Sequence, residues 1–175
     1  MTRRRLADDE FAGFVGDAYG GLVRFGALLV GERAGGEDVT QTALMKVYRA
    51  WPRIEDKAAA GAYTRAVMVR VAERGRRRRW NGERPTEILP DALVTLDRTD
   101  ELAVADVVHS ALLGLPVSQR AVLVLRYFEM RSEAETAALL DISLGTVKSR
   151  ASRGLAALRA AGLLDRRQLA TEETR

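Results

Sequence analysis

The chain has 175 residues, no cysteine and a formal net charge of +4. Without cysteine there is neither a disulfide framework nor a thiolate zinc site. With 47% hydrophobic and 30% charged residues, the composition suits a folded helical protein of one domain or two small ones, and the basic excess is compatible with a polyanionic partner.

The first residues, MTRRRLADDEF, are basic but lack an apolar core, which predicts no signal peptide. No uninterrupted apolar run reaches the length of a bilayer span, so no membrane insertion is expected and the cytoplasm is the expected location. Residues 8–31 alternate apolar clusters with small residues, from Phe11 and Phe14 to Leu28 and Leu29. This pattern predicts two helices interrupted near Gly20-Gly21. The glycines here form no phosphate loop, because no GK[ST] follows and no strand precedes.

Gly35-Gly36 is expected to end that segment, and residues 37–51 (EDVTQTALMKVYRAW) to form the next helix, with acids at its start. Helical spacing puts Val39, Ala43, Val47 and Ala50 on a core face. It puts Asp38, Gln41, Thr42, Met45 and Arg49 on another, which suits plain surface or a docking face for a partner helix. Trp51-Pro52 closes the helix, since proline disfavours helical geometry in the residue before it. Asp8-Asp9-Glu10 and Glu37-Asp38 are more simply partners of helix dipoles than metal ligands.

A long helix is predicted over 61–79. Thr64, Val67, Met68, Val71 and Ala72 face inward, and Arg65, Arg70, Arg76 and Arg77 lie on the other side with Glu73. It ends in five arginines within residues 74–79, followed by Trp80. That density exceeds what a helix C-terminus needs and suits phosphate neutralisation beside a stacking aromatic. Residues 81–101 hold two prolines, a glycine and mostly acidic charge, the composition of a flexible linker.

A second helical unit starts near Asp100, with Leu102, Val104, Val107, Val108, Ala111, Leu112 and Leu115 on its apolar face. Pro116 restarts the chain, and Val117 to Phe128 predicts a dense apolar helix. His109, the one histidine, reads as structural.

Ser132 to Arg159 then reads as a helix-turn-helix. Ser132 and Glu135 have capping-box spacing, and Ala137, Ala138, Leu139 and Leu140 supply a packing side. Asp141-Ile142-Ser143 breaks the run, with Ser143 placed to cap the next helix. In that helix Leu144, Val147, Ala151, Leu155 and Leu158 share one face. Thr146, Ser149, Ser152 and Arg153 share the opposite one, with Lys148 and Arg150 on the flanks. From Ser143 to Arg159 there are four basic residues and no acid. A dry back with a hydroxyl-and-arginine front suits the DNA major groove. No HExxH, GxSxG or glycine-rich strand-turn-helix is present, so no enzyme, cofactor or metal is expected. Residues 163–175 end in a polar stretch expected to fray.

Two basic helical modules joined by an acidic linker resemble the extracytoplasmic-function sigma factors of bacterial RNA polymerase, over about residues 8–160. Within them, the pattern is similar to the actinobacterial SigE-like subgroup. Residues 37–51, with Asp38-x-x-Gln41, resemble the segment that docks on core polymerase. Residues 62–80 resemble the helix that engages the −10 promoter element, and residues 115–159 the domain that reads the −35 element, most specifically GTVKSRASRGLAALR.

The resemblance implies an all-α fold of two small domains: a region 2-like bundle over 8–80, a linker over 81–101 and a region 4-like helix-turn-helix over 102–162. It implies core RNA polymerase and promoter DNA as partners, and an anti-sigma factor or other regulator. Asp38, Gln41, Met45 and Arg49 would contact polymerase. Arg65, Arg70, Arg74, Arg76, Arg77 and Trp80 would approach the −10 region, with Trp51 a further candidate for supporting strand separation. Thr146, Ser149, Arg150 and Arg153 would face the −35 groove, with Lys148 and Arg131 on phosphates. Many relatives have Asn where this chain has Arg70, so their −10 preference does not transfer. The competing readings are a stand-alone dimeric helix-turn-helix regulator and an RNA-binding or structural helical protein.

Overall fold

The computed structural model describes residues 3–80 and 108–161, with the side chains of Arg3, Arg4 and 77–80 excepted. Every regular element among the described residues is helical. The chain divides into two compact units, Met1–Asp91 and Ala92–Arg175. The expected linker, the residues from Leu102 to Val107 and the C-terminal tail lie outside the described residues.

The first unit has three long helices: α1 (Arg3–Val30), α2 (Arg33–Ala50) and α3 (Ala60–Trp80). The expected break at Gly20-Gly21 does not occur, and α1 runs through it. A glycine within a helix costs only about 1 kcal/mol relative to alanine. The buried residues that follow, Leu22, Val23, Phe25 and Leu29, outweigh that cost. By length and composition the stretch Arg5–Val30 is apolar enough to cross a membrane, although polar residues interrupt it and no single apolar run marks it. In this fold it packs on α2 and α3, with Leu22, Val23, Phe25 and Leu29 buried against them.

The real break is Gly31, at φ 101°, a left-handed backbone that glycine adopts without penalty. α2 therefore begins at Arg33, and Gly35-Gly36 sits in its first turn instead of before it. There is a packing reason. A Cβ on Gly36 would lie 2.5 Å from the Ala27 nitrogen, and one on Gly26 would lie 2.7 Å from the Gly36 carbonyl oxygen. The two backbones touch at this crossing, and only glycine fits on either side.

Val39, Ala43 and Val47 are buried as their spacing predicts. Thr40 is buried with them, its hydroxyl donating to the Gly36 carbonyl at 2.7 Å. Thr64 in α3 does the same to Ala60 at 2.8 Å. In α3, Thr64, Val67, Met68 and Ala72 face inward as expected, joined by Ala66 and Val69.

α2 does stop before Trp51-Pro52, but Trp51 keeps helical geometry (φ −49°, ψ −44°) and starts a 3-10 turn over Trp51–Arg53 with Pro52 near its head. Trp51 is 2% exposed. It stacks on Phe14 at 5.3 Å, meets Phe11 edge-on at 5.1 Å and carries the Lys57 ammonium 4.4 Å from its ring. This burial corrects the expectation that Trp51 supports strand separation: it anchors α1 to the end of α2.

The second unit is helical over 108–114 (α4), then α5 (Val117–Leu123), α6 (Glu133–Leu140) and α7 (Leu144–Ala160). The expected single helix over 117–128 changes pitch. Val124–Phe128 is a π-helical turn, with Glu129 N–H donating to Val124 at 3.0 Å. Such turns re-aim the side chains that follow. Tyr127, Phe128 and Met130 emerge exposed just after this dense apolar stretch.

Arg120 is 3% exposed inside α5. Its guanidinium donates to the carbonyls of Leu113 at 2.8 Å and Leu115 at 2.9 Å, satisfying the C-terminal end of α4. Leu112, Leu115, Leu123 and Leu158 form one core cluster, and Val122, Ala137 and Val147 another.

Candidate nucleic-acid interface

Local chemistry in the second unit positions the helix-turn-helix. Ser132 accepts from the Glu135 N–H at 3.1 Å, and Glu135 accepts from the Ser132 N–H at 2.7 Å, so the expected capping box is complete. The Ser132 backbone hydrogen bond, then its hydroxyl and then Arg131, hold the Glu135 carboxyl below its usual pKa.

α6 ends with Asp141 in left-handed geometry (φ 56°, ψ 52°). The Ile142 N–H reaches back to Ala137 and the Asp141 N–H to Ala138, which is the Schellman pattern with aspartate in place of glycine. Ser143 then caps α7, accepting from the Thr146 N–H at 3.1 Å.

α7 buries Val147 and Leu158, with Ala151 and Leu155 packed beside them. Two expectations fail. Leu144, the first residue of α7, is 49% exposed, and Ala138 in α6 is exposed. One contact was not foreseen: Gly154 is buried, and a Cβ there would lie 2.9 Å from a Leu123 methyl, so α7 approaches α5 closely.

On the outward side, Lys148 and Arg153 are exposed, and Thr146, Ser149 and Arg150 are half-buried. Arg153 donates to the Ser149 hydroxyl at 2.8 Å, which steers its guanidinium. The Thr146 hydroxyl pairs with that of Ser143 at 2.8 Å. Arg131 sits just before α6, half-buried, 3.3 Å from Glu135. Lys148 lies 3.7 Å from Glu133. Sequence reasoning missed Glu133 and the pairing of the Ser143 and Thr146 hydroxyls. Glu133 carries no local signal, since its partner lies on the next helix.

In the first unit the expected docking residues stand together. Asp38, Gln41, Met45 and Arg49 are all exposed along α2, with Met45 61% exposed and Thr42 beside them. The neighbouring acids, expected in a first helical turn, lie outside it and act as side-chain partners. Glu37 accepts from Arg33 at 3.0 Å, and Asp8 accepts from the Tyr48 hydroxyl at 2.7 Å, tying α1 to α2.

The arginines of α3 divide. Arg70 and Arg74 are exposed and, with Arg77, follow i, i+4, i+7 spacing on one stripe; Arg76 is exposed on another. Arg65 is half-buried. It donates to Gly61 at 3.2 Å and lies 5.7 Å over the Phe25 ring. Arg77 and Trp80 fall within α3.

Comparison with known proteins divides the chain at similar places. Family models for sigma-70 region 2 and sigma-70 region 4 match residues 16–82 and 105–158. The chain is 41% identical to the RNA polymerase sigma-E factor of Streptomyces coelicolor over 167 residues, covering 94% of each protein. It is 42% identical to the sigma-E factor of Streptomyces avermitilis over 86% of this chain and 83% of that one. Against the ECF RNA polymerase sigma factor SigM of Mycobacterium tuberculosis the identity is 34% over 70% of this chain. In fold it resembles the sigma factor RpoE of Bartonella quintana, solved in complex with the anti-sigma factor NepR. That likeness has a TM-score of 0.63 at 24% identity and covers 89% of this chain and 98% of that one.

Proposed function

The chain belongs to the extracytoplasmic-function sigma factors, and from that premise we infer how its surfaces divide the work of promoter-specific transcription initiation. A sigma factor partners core RNA polymerase and promoter DNA. The first unit, over 8–80, binds polymerase through Asp38, Gln41, Met45 and Arg49 and engages the −10 element through Arg70, Arg74, Arg76 and Arg77, with Arg65 and Trp80 in support. The second, over 102–162, reads the −35 element through Thr146, Ser149, Arg150 and Arg153 and holds phosphates with Lys148 and Arg131. The acidic stretch 81–101 links them.

One observation carries this reading. α2 buries Val39, Ala43 and Val47 yet leaves an apolar Met45 and three polar groups exposed in line, on a chain that also holds a doubly capped helix-turn-helix. A stand-alone regulator has no use for that stripe, and the relatives that span nearly the whole chain are sigma factors.

The mechanism is one of linked binding. Each unit alone makes a modest, salt-dependent contact with DNA. Polymerase joins the two contacts, so the second becomes effectively intramolecular. The −35 contact sets position by base-edge and phosphate bonds. Unstacked −10 bases are then captured beside the α3 arginines, against an opening cost of a few kcal/mol. The chain itself performs no covalent chemistry; polymerase does. It acts in the cytoplasm, where polymerase is, and family membership supports an anti-sigma factor or similar regulator.

Reconstitution tests the reading. The purified chain added to sigma-free bacterial core polymerase should yield promoter-dependent transcripts. A chain that yields none, and alone footprints a palindrome, would be a dimeric regulator instead. Asp38→Arg should abolish or sharply reduce co-purification with core polymerase while leaving the helical content unchanged. Unchanged co-purification would remove the α2 assignment.

A further inference from the structure

Lys148 is an exposed cation of α7, and its ammonium lies 3.7 Å from the Glu133 carboxylate. The pair joins the two helices of the helix-turn-helix. Three features single it out. Glu133 is the first residue of α6, in the turn where a helix N-terminus would itself attract a DNA phosphate. Its neighbour Glu135 is already committed to the Ser132 cap and to Arg131, so Glu133 is the acid left for the lysine. Finally, α7 carries no acid of its own, so this carboxylate comes from outside the basic helix. A carboxylate, like a phosphodiester, offers the lysine one negative charge shared between two oxygens, so the two compete for the same ammonium.

We infer that Glu133 is a positioning residue that sets the DNA affinity of the second unit: it holds Lys148 across the turn and must release it before the ammonium reaches a phosphate. The inference rests on the reading of α7 as the DNA-facing helix. Its consequence is a brake on unspecific binding. In the free chain the lysine is occupied, and on DNA the freed carboxylate takes up a cation from solution. That uptake offsets part of the counterion release that drives association, so the salt dependence is shallower than the number of phosphate contacts alone would give. Exposed pairs of this kind are weak, so the brake is worth about three- to five-fold in affinity and not more.

The test uses the full chain and a short fluorescein-labelled duplex of mixed sequence, followed by anisotropy across a KCl series. Glu133→Gln should bind about three- to five-fold tighter at low salt, with a steeper salt slope and a slightly lower unfolding midpoint, since the ion pair and the first turn of α6 both lose the charge. Lys148→Met should bind more weakly than the native chain, and adding Glu133→Gln to it should bring no further change. Two results overturn the inference: no tightening in Glu133→Gln, or the same tightening with Lys148 absent, which would make Glu133 a simple repulsive charge. Transcription by the native chain with core polymerase reports on the sigma reading separately. A chain that initiates but gains nothing from Glu133→Gln loses only this inference.

Discussion

The two units hold their helices by opposite means. In the first, α1 and α2 meet backbone to backbone at Gly26 and Gly36, and an aromatic cluster of Phe11, Phe14, Tyr48 and Trp51 locks the far end. In the second, the geometry comes from polar closures at helix ends: the Ser132–Glu135 box, Asp141 in left-handed backbone, the Ser143 cap and buried Arg120 on the α4 carbonyls. The close approach there, Gly154 on Leu123, is against a side chain, not a backbone. The stripe on α2 that we propose for docking is built on close helix crossings. The hydroxyl-and-cation face of α7 that we propose for DNA is built on caps.

This contrast can be broken by substitution. The largest effect expected is from Gly36→Ala, which would set a methyl against the Ala27 backbone with nowhere to move. It should lower stability by about 1–3 kcal/mol in urea unfolding of the full chain. Gly154→Ala should be close to neutral, because the Leu123 tip can shift and alanine gains about 1 kcal/mol of helix propensity. Equal losses at both sites would mean that the two crossings are of one kind.

Arg153→Ala follows. If the guanidinium steered by Ser149 reads a base, discrimination among −35 variants should fall by about 1–3 kcal/mol in promoter binding by the holoenzyme. A uniform loss on every variant would make it a phosphate contact. Ser132→Ala comes next: loss of the cap should cost about 1 kcal/mol. An unchanged unfolding midpoint would mean that polar closures at helix ends do not hold the second unit together.

The smallest effect is one of pH. The Glu135 carboxyl titrates lower in the folded chain than in the unfolded one. Its stabilisation is therefore full above the ordinary carboxylate pKa and fades as pH falls through the folded value. Glu135→Gln should flatten that part of the stability–pH curve. A curve of unchanged shape would place the acid sensitivity elsewhere.

Much of the candidate site was legible because it depends on local periodicity. The exposed line of Asp38, Gln41, Met45 and Arg49 follows from 3.6-residue spacing once Val39, Ala43 and Val47 turn inward. The α6 and α7 caps follow from residue types three positions apart. Arg65 was not legible. It shares its helix and its charge with Arg70, yet the Phe25 ring on α1 and the Gly61 carbonyl draw it half inside. Glu133 was missed for the same reason, since its ion pair crosses between helices.

The sequence by itself therefore determined the all-helical class, both caps of the helix-turn-helix and the inward face of α2, because each rests on interactions within a few residues. Only the tertiary structure decided that α1 continues through Gly20-Gly21, that Trp51 is core, that the helix after Pro116 loosens into a π turn, and which cations are already held by an acid. Those outcomes depend on what lies across the packing interface. A helix break costs or gains about 1 kcal/mol locally, while burying one large side chain contributes about 1.5–3 kcal/mol, so the neighbour prevails.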